Sequence, residues 1–361
     1  MRISARFEIG YTRFLAPDGT FEREPPAFAR ERPAVLALYR ALLLTRTLDA
    51  RAVALQRTGR LGTYASSLGQ EAIAVGAAAA MLPDDVLVPS FREHGAQLLR
   101  GVLPEEILAY WGGDERGSCF ARQKRDFPVC VTVGAHAAHA VGVAHAMRYR
   151  REPHAVLCIF GDGATSKGDV HEAMNIAGAW GSPVVFVVAN NQWAISVPRA
   201  AQSAAGTLAQ KALAAGIGGE QVDGNDVIAV RHAVGEALAR ARTGAGAHLV
   251  ECLSYRLADH TTADDAHRYR ADAEVGTHWQ DDPLLRVRTL LEAQHGWSHA
   301  DEQALREECT QAIDAAAERY LAAAPDHPRA LFAHLHARLP EALAPQLAEL
   351  ERLAAEDAGR G

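Results

Sequence analysis

Gly161-Asp162-Gly163 and, one helix length later, Asn190-Asn191 are the residues of this chain best suited to chemistry. Glycine lets a backbone approach a phosphate closely, and a carboxylate with a carboxamide offers hard oxygen ligands to Mg²⁺ or Ca²⁺. An apolar run over 155–160 leads into the first motif, and another over 184–189 leads into the second. Each motif therefore sits just past a predicted strand. Gly-Asp-Gly alone is a common strand-to-helix connector, and a paired Asn is weaker still. Together, at the ends of two strands of one βαβ unit, they point to a diphosphate held through a metal. A nicotinamide fingerprint is excluded because residues 161–166 lack its third glycine, and no Gly-x-x-x-x-Gly-Lys-Ser/Thr run is present.

The elements that must position these motifs alternate along the chain. Helical periodicity runs over 33–58 and 70–81, followed by a short strand at 86–88 and a polar loop over 113–128. A helix rich in small residues covers 134–150. The strand at 155–160, a helix at 168–180 and the strand at 184–189 form the βαβ unit, with Gly181 and Pro183 stopping the helix. The pattern continues as a helix near 207–215, a strand near 220–222, a helix over 226–242 and a strand over 248–254. This order implies a doubly wound, mostly parallel α/β sheet, with ligands at the carboxyl ends of its strands. Residues 1–32 read as an extended arm packed on a neighbour, 33–282 as the α/β domain, and 283–361 as a helical extension with a capping box at Ser298 and Asp301. A long polar loop over 256–282 is expected to be functional or disordered.

Bulk properties exclude several classes. A net charge of −7 gives no reason to expect nucleic acid or an anionic membrane as partner. No run has the length of a membrane span, and the N-terminus lacks the apolar region of a secretory signal. The five cysteines include no CxxC pair, a reduced intracellular pattern. A short Arg/Ser start is weak evidence for a transit peptide, so a cytoplasmic enzyme is the expectation, ahead of a mitochondrial matrix one. His136 and His139 share a helical face, but no third ligand is evident, so hydrogen bonding or packing is expected of them.

The run from Gly161 through Asp169, continuing over 190–196, resembles the thiamine diphosphate motif. More narrowly, residues 33–269 resemble the α subunit of the E1 component of 2-oxo acid dehydrogenase complexes. Segments 56–64, Gly69-Gln70-Glu71-Ala72, Phe91-Arg92-Glu93 and 260–270 carry the likeness in the same order. The resemblance implies a thiamine diphosphate-binding fold. It also implies that Asp162, Asn191 and the Trp193 carbonyl bind Mg²⁺, that Arg92 pairs with the diphosphate, and that Phe91 stands where a tyrosine is common. Gly161, Gly163 and Ala164 would line the diphosphate, and Val133-Gly134 the pyrimidine. His260 matches the active-site histidine, which handles protons around the 2-oxo acid. Thr261 stands where mitochondrial relatives carry a phosphorylated serine, and is read as a plain loop residue.

The chain has one diphosphate half and no second α/β half to hold the pyrimidine. The resemblance therefore implies an α₂β₂ heterotetramer with a separate E1 β subunit, serving a lipoyl-bearing E2 acyltransferase. The expected substrate is pyruvate, with branched-chain 2-oxo acids or acetoin as alternatives. A non-catalytic phosphate-binding scaffold would have lost Asp162, Asn191, Arg92 or His260; all four are present.

Overall fold

The computed structural model describes residues 3–333 and 335–358. Its strands are β1 (Tyr11–Thr12), β2 (Val86–Val88), β3 (Val156–Gly161), β4 (Val184–Asn190), β5 (Trp193–Ala194), β6 (Val197–Pro198), β7 (Gly218–Asp223) and β8 (His248–Leu253). Six of them form one sheet in the order β1-β7-β8-β4-β3-β2, every neighbouring pair parallel. β5 and β6 make a separate antiparallel hairpin. The main helices are α1 (Arg32–Arg57), α2 (Glu71–Ala79), α3 (Ala135–Arg150), α4 (Gly168–Trp180), α5 (Val227–Arg242), α6 (Pro283–His295) and α7 (His299–Ala322).

The continuous apolar runs of β3 and β4 follow from cover on both faces. Leu157, Ile159, Val185 and Val187 pack on one face with buried residues of α1, α2 and α5. Val156, Cys158, Phe160, Val184, Phe186 and Val188 pack on the other with α3 and α4. Phe160 and Phe186 are fully buried, and each such side chain contributes roughly 1.5–3 kcal/mol. α4 ends as its sequence dictates, with Gly181 left-handed at φ 57° and Pro183 beyond it. This is the doubly wound architecture expected.

Part of the arm joins the sheet: β1 pairs with β7 of the same chain. The cause is local. The backbone N–H groups of Phe14 and Leu15 both donate to one oxygen of Asp226, each at 2.8 Å. The other oxygen caps α5, accepting from Ile228 and Ala229. Arg286 of α6, fully buried, donates to the Leu15 carbonyl at 2.9 Å and pairs with Asp223 at 2.7 Å. The 256–282 segment likewise carries structure: a short turn of helix at Ala266–Arg268 and a helix at Asp272–His278. The capping box at the start of α7 forms as read, between Ser298 and Asp301.

Asp226 thus serves four buried donors at once. Asp226→Ala removes a helix cap and strands two arm N–H groups, for a loss of about 2–4 kcal/mol. Urea denaturation should read this loss, and limited trypsin digestion should show faster cleavage at Arg13. A variant as stable and as resistant as wild type would show that the arm is held elsewhere.

Candidate active site

Sheet register sets the site. Gly161 of β3 lies opposite Ala189 of β4, and Asn190 opposite Leu253 of β8. Asp162, Asn191 and the 254–260 segment therefore leave the sheet together at its carboxyl edge, where open α/β sheets hold ligands. A cavity of about 490 Å³ opens there. It is lined by every residue nominated from the sequence: Phe91, Arg92, Val133, Gly134, Gly161, Asp162, Gly163, Ala164, Asn191, Trp193 and His260.

Two glycines of this wall, Gly163 and Gly134, are required by space. A Cβ on Gly163 would meet the Ala194 side chain at 2.7 Å. Gly134, at φ 78°, starts α3 and would press on Val170 at 2.9 Å. Asp162 begins a tight helical turn, Asp162–Ser166, straight off β3. Its carboxyl is buried, and burial pushes its pKa up to about 6 against the pull of backbone donors and Gln202. Gln202 donates to it at 3.2 Å. Asn191 Oδ1 accepts from the Trp193 N–H at 3.2 Å, and Asn191 Nδ2 donates to Gln70 Oε1 at 3.0 Å. The Trp193 carbonyl accepts from Arg256 at 3.1 Å, leaving one lone pair for another partner.

Two guanidiniums converge on His260. Arg92 donates to the His260 carbonyl at 2.9 Å and to its Nδ1 at 3.2 Å, and Arg256 approaches the same Nδ1 at 3.4 Å. Both donors are cations, so Nδ1 accepts and the neutral ring carries its proton on Nε2. Burial, then Arg92, then Arg256 lower the His260 pKa to about 4. Burial and then Arg256 lower that of Arg92 to about 10. Neither guanidinium has a carboxylate at salt-bridge distance among the described residues. Asp264 fixes the loop instead, accepting the His260 N–H at 2.8 Å. Phe91 stands edge-on to the imidazole, ring centres 5.9 Å apart.

Arg256, Gln70 and Gln202 escaped the sequence reading. Gln70 lay inside a quoted segment, and Arg256 follows the last strand by three residues; Gln202 carried no signal. His136 is buried and bonds the Ile159 carbonyl at 2.9 Å, the hydrogen-bonding role expected. No group of three or more His, Cys, Asp or Glu poised for a metal occurs among the described residues.

The imidazole has a pH consequence. In the unfolded chain it protonates near 6.5, whereas the folded ring resists until about 4. Its contribution to stability is therefore intact above pH 6.5 and lost as pH falls from there towards 4. Histidine-selective NMR should find the His260 ring still neutral at pH 5.5, with Arg92→Met moving its midpoint up towards 6.5. A wild-type midpoint near 6.5 would contradict the electrostatics of the site.

Comparison with known proteins agrees with this geometry. Residues 39–329 match the family described as dehydrogenase E1 component. The chain is 44% identical to the 3-methyl-2-oxobutanoate dehydrogenase subunit alpha of Mycobacterium tuberculosis (strain CDC 1551 / Oshkosh), over 81% of this chain and 80% of that one. It is 39% identical to the pyruvate dehydrogenase E1 component subunit alpha of Acholeplasma laidlawii, covering 81% and 85%. The protein of that name from Mycoplasma genitalium (strain ATCC 33530 / DSM 19775 / NCTC 10195 / G37) is 35% identical, covering 88% and 87%. With the site's residues gathered in one cavity and the match spanning most of the chain, this protein belongs to the dehydrogenase E1 component family, as an α-type subunit.

Proposed function

We propose that this chain supplies the diphosphate and metal half of a thiamine diphosphate-dependent 2-oxo acid dehydrogenase. The observation that carries this reading is a donor arrangement: Arg92, buried and without a carboxylate partner, lines one cavity with the buried Asp162 carboxyl, Asn191, Trp193 and His260. Such a cavity is matched by a ligand that is itself an anion carrying a cation. The donor set fits: Asp162, the Asn191 carboxamide and the Trp193 carbonyl are the hard oxygens that Mg²⁺ takes. Arg92 is placed for the diphosphate, with Gly161, Gly163 and Ala164 as the close backbone wall. Phe91, Val133 and Gly134 give an apolar flank for the pyrimidine. When bound, thiamine diphosphate supplies carbanion chemistry, which the protein orients and shields.

His260 contributes a neutral imidazole with its proton on Nε2. It can donate to an oxygen of the 2-oxo acid and take part in proton transfer beside it. Burial, and then Arg92 and Arg256, keep it from charging, so it acts as a donor and not as a resident cation. A separate β subunit would complete the pyrimidine side, in an α₂β₂ assembly that passes its acyl group to the lipoyl arm of an E2 acyltransferase. A cytoplasmic location suits this assignment, and among the described residues no helix is long and apolar enough to cross a membrane.

The substrate proposed is pyruvate, as the sequence led us to expect, and relatives named for pyruvate match over most of the chain. A second reading has its own support. The relative named for 3-methyl-2-oxobutanoate has the higher identity, 44%. The cavity also carries apolar Val131, Val133 and Ile195 in its lining, which suits a branched acyl group.

Two measurements test these points. Asp162→Ala, co-expressed with the β subunit, should lose Mg²⁺-dependent binding of thiamine diphosphate by calorimetry; unchanged binding would sink the metal assignment. Rates with the assembled enzyme on a panel of 2-oxo acids should be highest for pyruvate. A kcat/KM tenfold higher for 3-methyl-2-oxobutanoate would replace that assignment with the branched-chain one, while the cofactor site stands.

A further inference from the structure

Gln70 has an amide with one end used and the other free. It sits immediately before α2 and is 5% exposed. Its side chain makes no capping bond to its own helix, the usual use of a polar residue there. It turns instead to Asn191. The polarity of the pair follows from the backbone. The Trp193 N–H can only donate, so the atom it meets on Asn191 is Oδ1. That leaves Asn191 Nδ2 facing Gln70, which must answer with Oε1. Gln70 Nε2 is then left over as a donor. It is buried and has no partner, and the residue lines the active-site cavity.

An unpartnered buried donor is destabilising. The backbone around it is built to hold it there. Gly69, at φ 87°, lies so close to Leu257 and the Tyr255 carbonyl that a Cβ would come within 2.7 Å of both. Glu71, fully buried, accepts the Gly69 N–H at 3.0 Å and pairs with Arg46. The Gln70 N–H is itself tied to the Ser67 carbonyl at 3.0 Å. The side chain is thus clamped between the loop that anchors Arg92 and the wall that carries Asn191.

We propose that Gln70 is a further binding residue of this site. Its Nε2 donates to an anionic oxygen of the bound diphosphate, while its Oε1 fixes the Asn191 carboxamide with Oδ1 as the metal-facing atom. This rests on the cofactor reading above and extends it to a residue with two assigned atoms. It also separates two roles by chemistry. A glutamate at this position could still accept from Asn191, but would set a negative charge against the diphosphate. A methionine would keep the volume and lose both functions.

The test uses the co-expressed α and β chains, with thiamine diphosphate and MgCl₂ as probes in calorimetry. Losing one hydrogen bond to a charged group predicts that Gln70→Met weakens thiamine diphosphate binding by about ten- to a hundredfold. Gln70→Glu should weaken it at least as much at saturating Mg²⁺. The KM for the 2-oxo acid, measured at saturating cofactor, should stay within twofold of wild type. Wild-type affinity in both variants would overturn the proposal. So would a loss in Gln70→Met with full affinity in Gln70→Glu, which would leave only the orienting role. A raised 2-oxo acid KM with unchanged cofactor affinity would move the donor to the substrate carboxylate and overturn it likewise. Asp162→Ala in the same assay separates the two readings: if it alone abolishes binding, the Gln70 inference fails and the cofactor site stands; if it binds normally, the site reading itself fails.

Discussion

Two buried positive charges hold one neutral ring, and much of the architecture answers to that arrangement. Arg92 and Arg256 sit within hydrogen-bond reach of the same imidazole nitrogen, and burial and then Arg256 lower the tendency of Arg92 to stay charged. Buried like charges are costly unless dipoles or counter-ions compensate. Here the dipoles are backbone carbonyls. Arg92 takes those of Ser66 and His260; Arg256 takes those of Trp193, Ile195 and Ala258. The segments that provide them must therefore be fixed, and each has its own anchor. Asp49 of α1, buried, accepts from the Ser66 hydroxyl at 2.5 Å and the Ser67 N–H at 2.6 Å. Arg270 donates to the carbonyls of Arg256, Leu257 and Ala258, which gives the polar 256–282 segment a defined path. Carbonyl dipoles spread the charge without neutralising it, and the remainder is what an anionic ligand would meet.

The sheet contributes precision of a different kind. In a parallel ladder the strands share a direction, so their carboxyl ends open on one edge. β3, β4 and β8 end within a residue or two of one another in register. Metal-type oxygens from two strands and the loop leaving the third reach one cavity by this means alone. The cost of such a sheet is full cover on both faces, which α1, α2 and α5 on one side and α3 and α4 on the other provide.

How much of this was legible in the sequence depended on the range of each interaction. Strands β3 and β4, the helix between them and its glycine stop were readable because their signals are local and periodic. Asp162, Asn191, Arg92 and His260 were readable through segment likeness, and their shared cavity follows from the register. Arg256 was not readable, because nothing local distinguishes an arginine after a strand from a solvated one; its role comes from carbonyls up to 63 residues away. Gln70 was visible only as part of a segment, since its partner is 121 positions off. The attachment of the arm to the sheet was not readable for the same reason. The carboxylate that holds Phe14 and Leu15 lies more than two hundred residues downstream.

Arg256 also explains the hairpin at the mouth of the cavity. Gln192 and Ile195 both have positive φ, 71° and 55°. For a β-branched residue this is a genuine outlier, costing roughly 1–2 kcal/mol. The strain is held from both sides: Arg256 binds the carbonyls of Trp193 and Ile195, and the Arg199 N–H binds that of Gln192 at 2.8 Å. The result is an apolar side chain, Ile195, set 55% exposed at the rim, near Val131 and Val133, which are also exposed. A chain optimised for stability alone would relax this turn. Retaining it ties the display of an apolar rim to the same guanidinium that approaches the His260 imidazole.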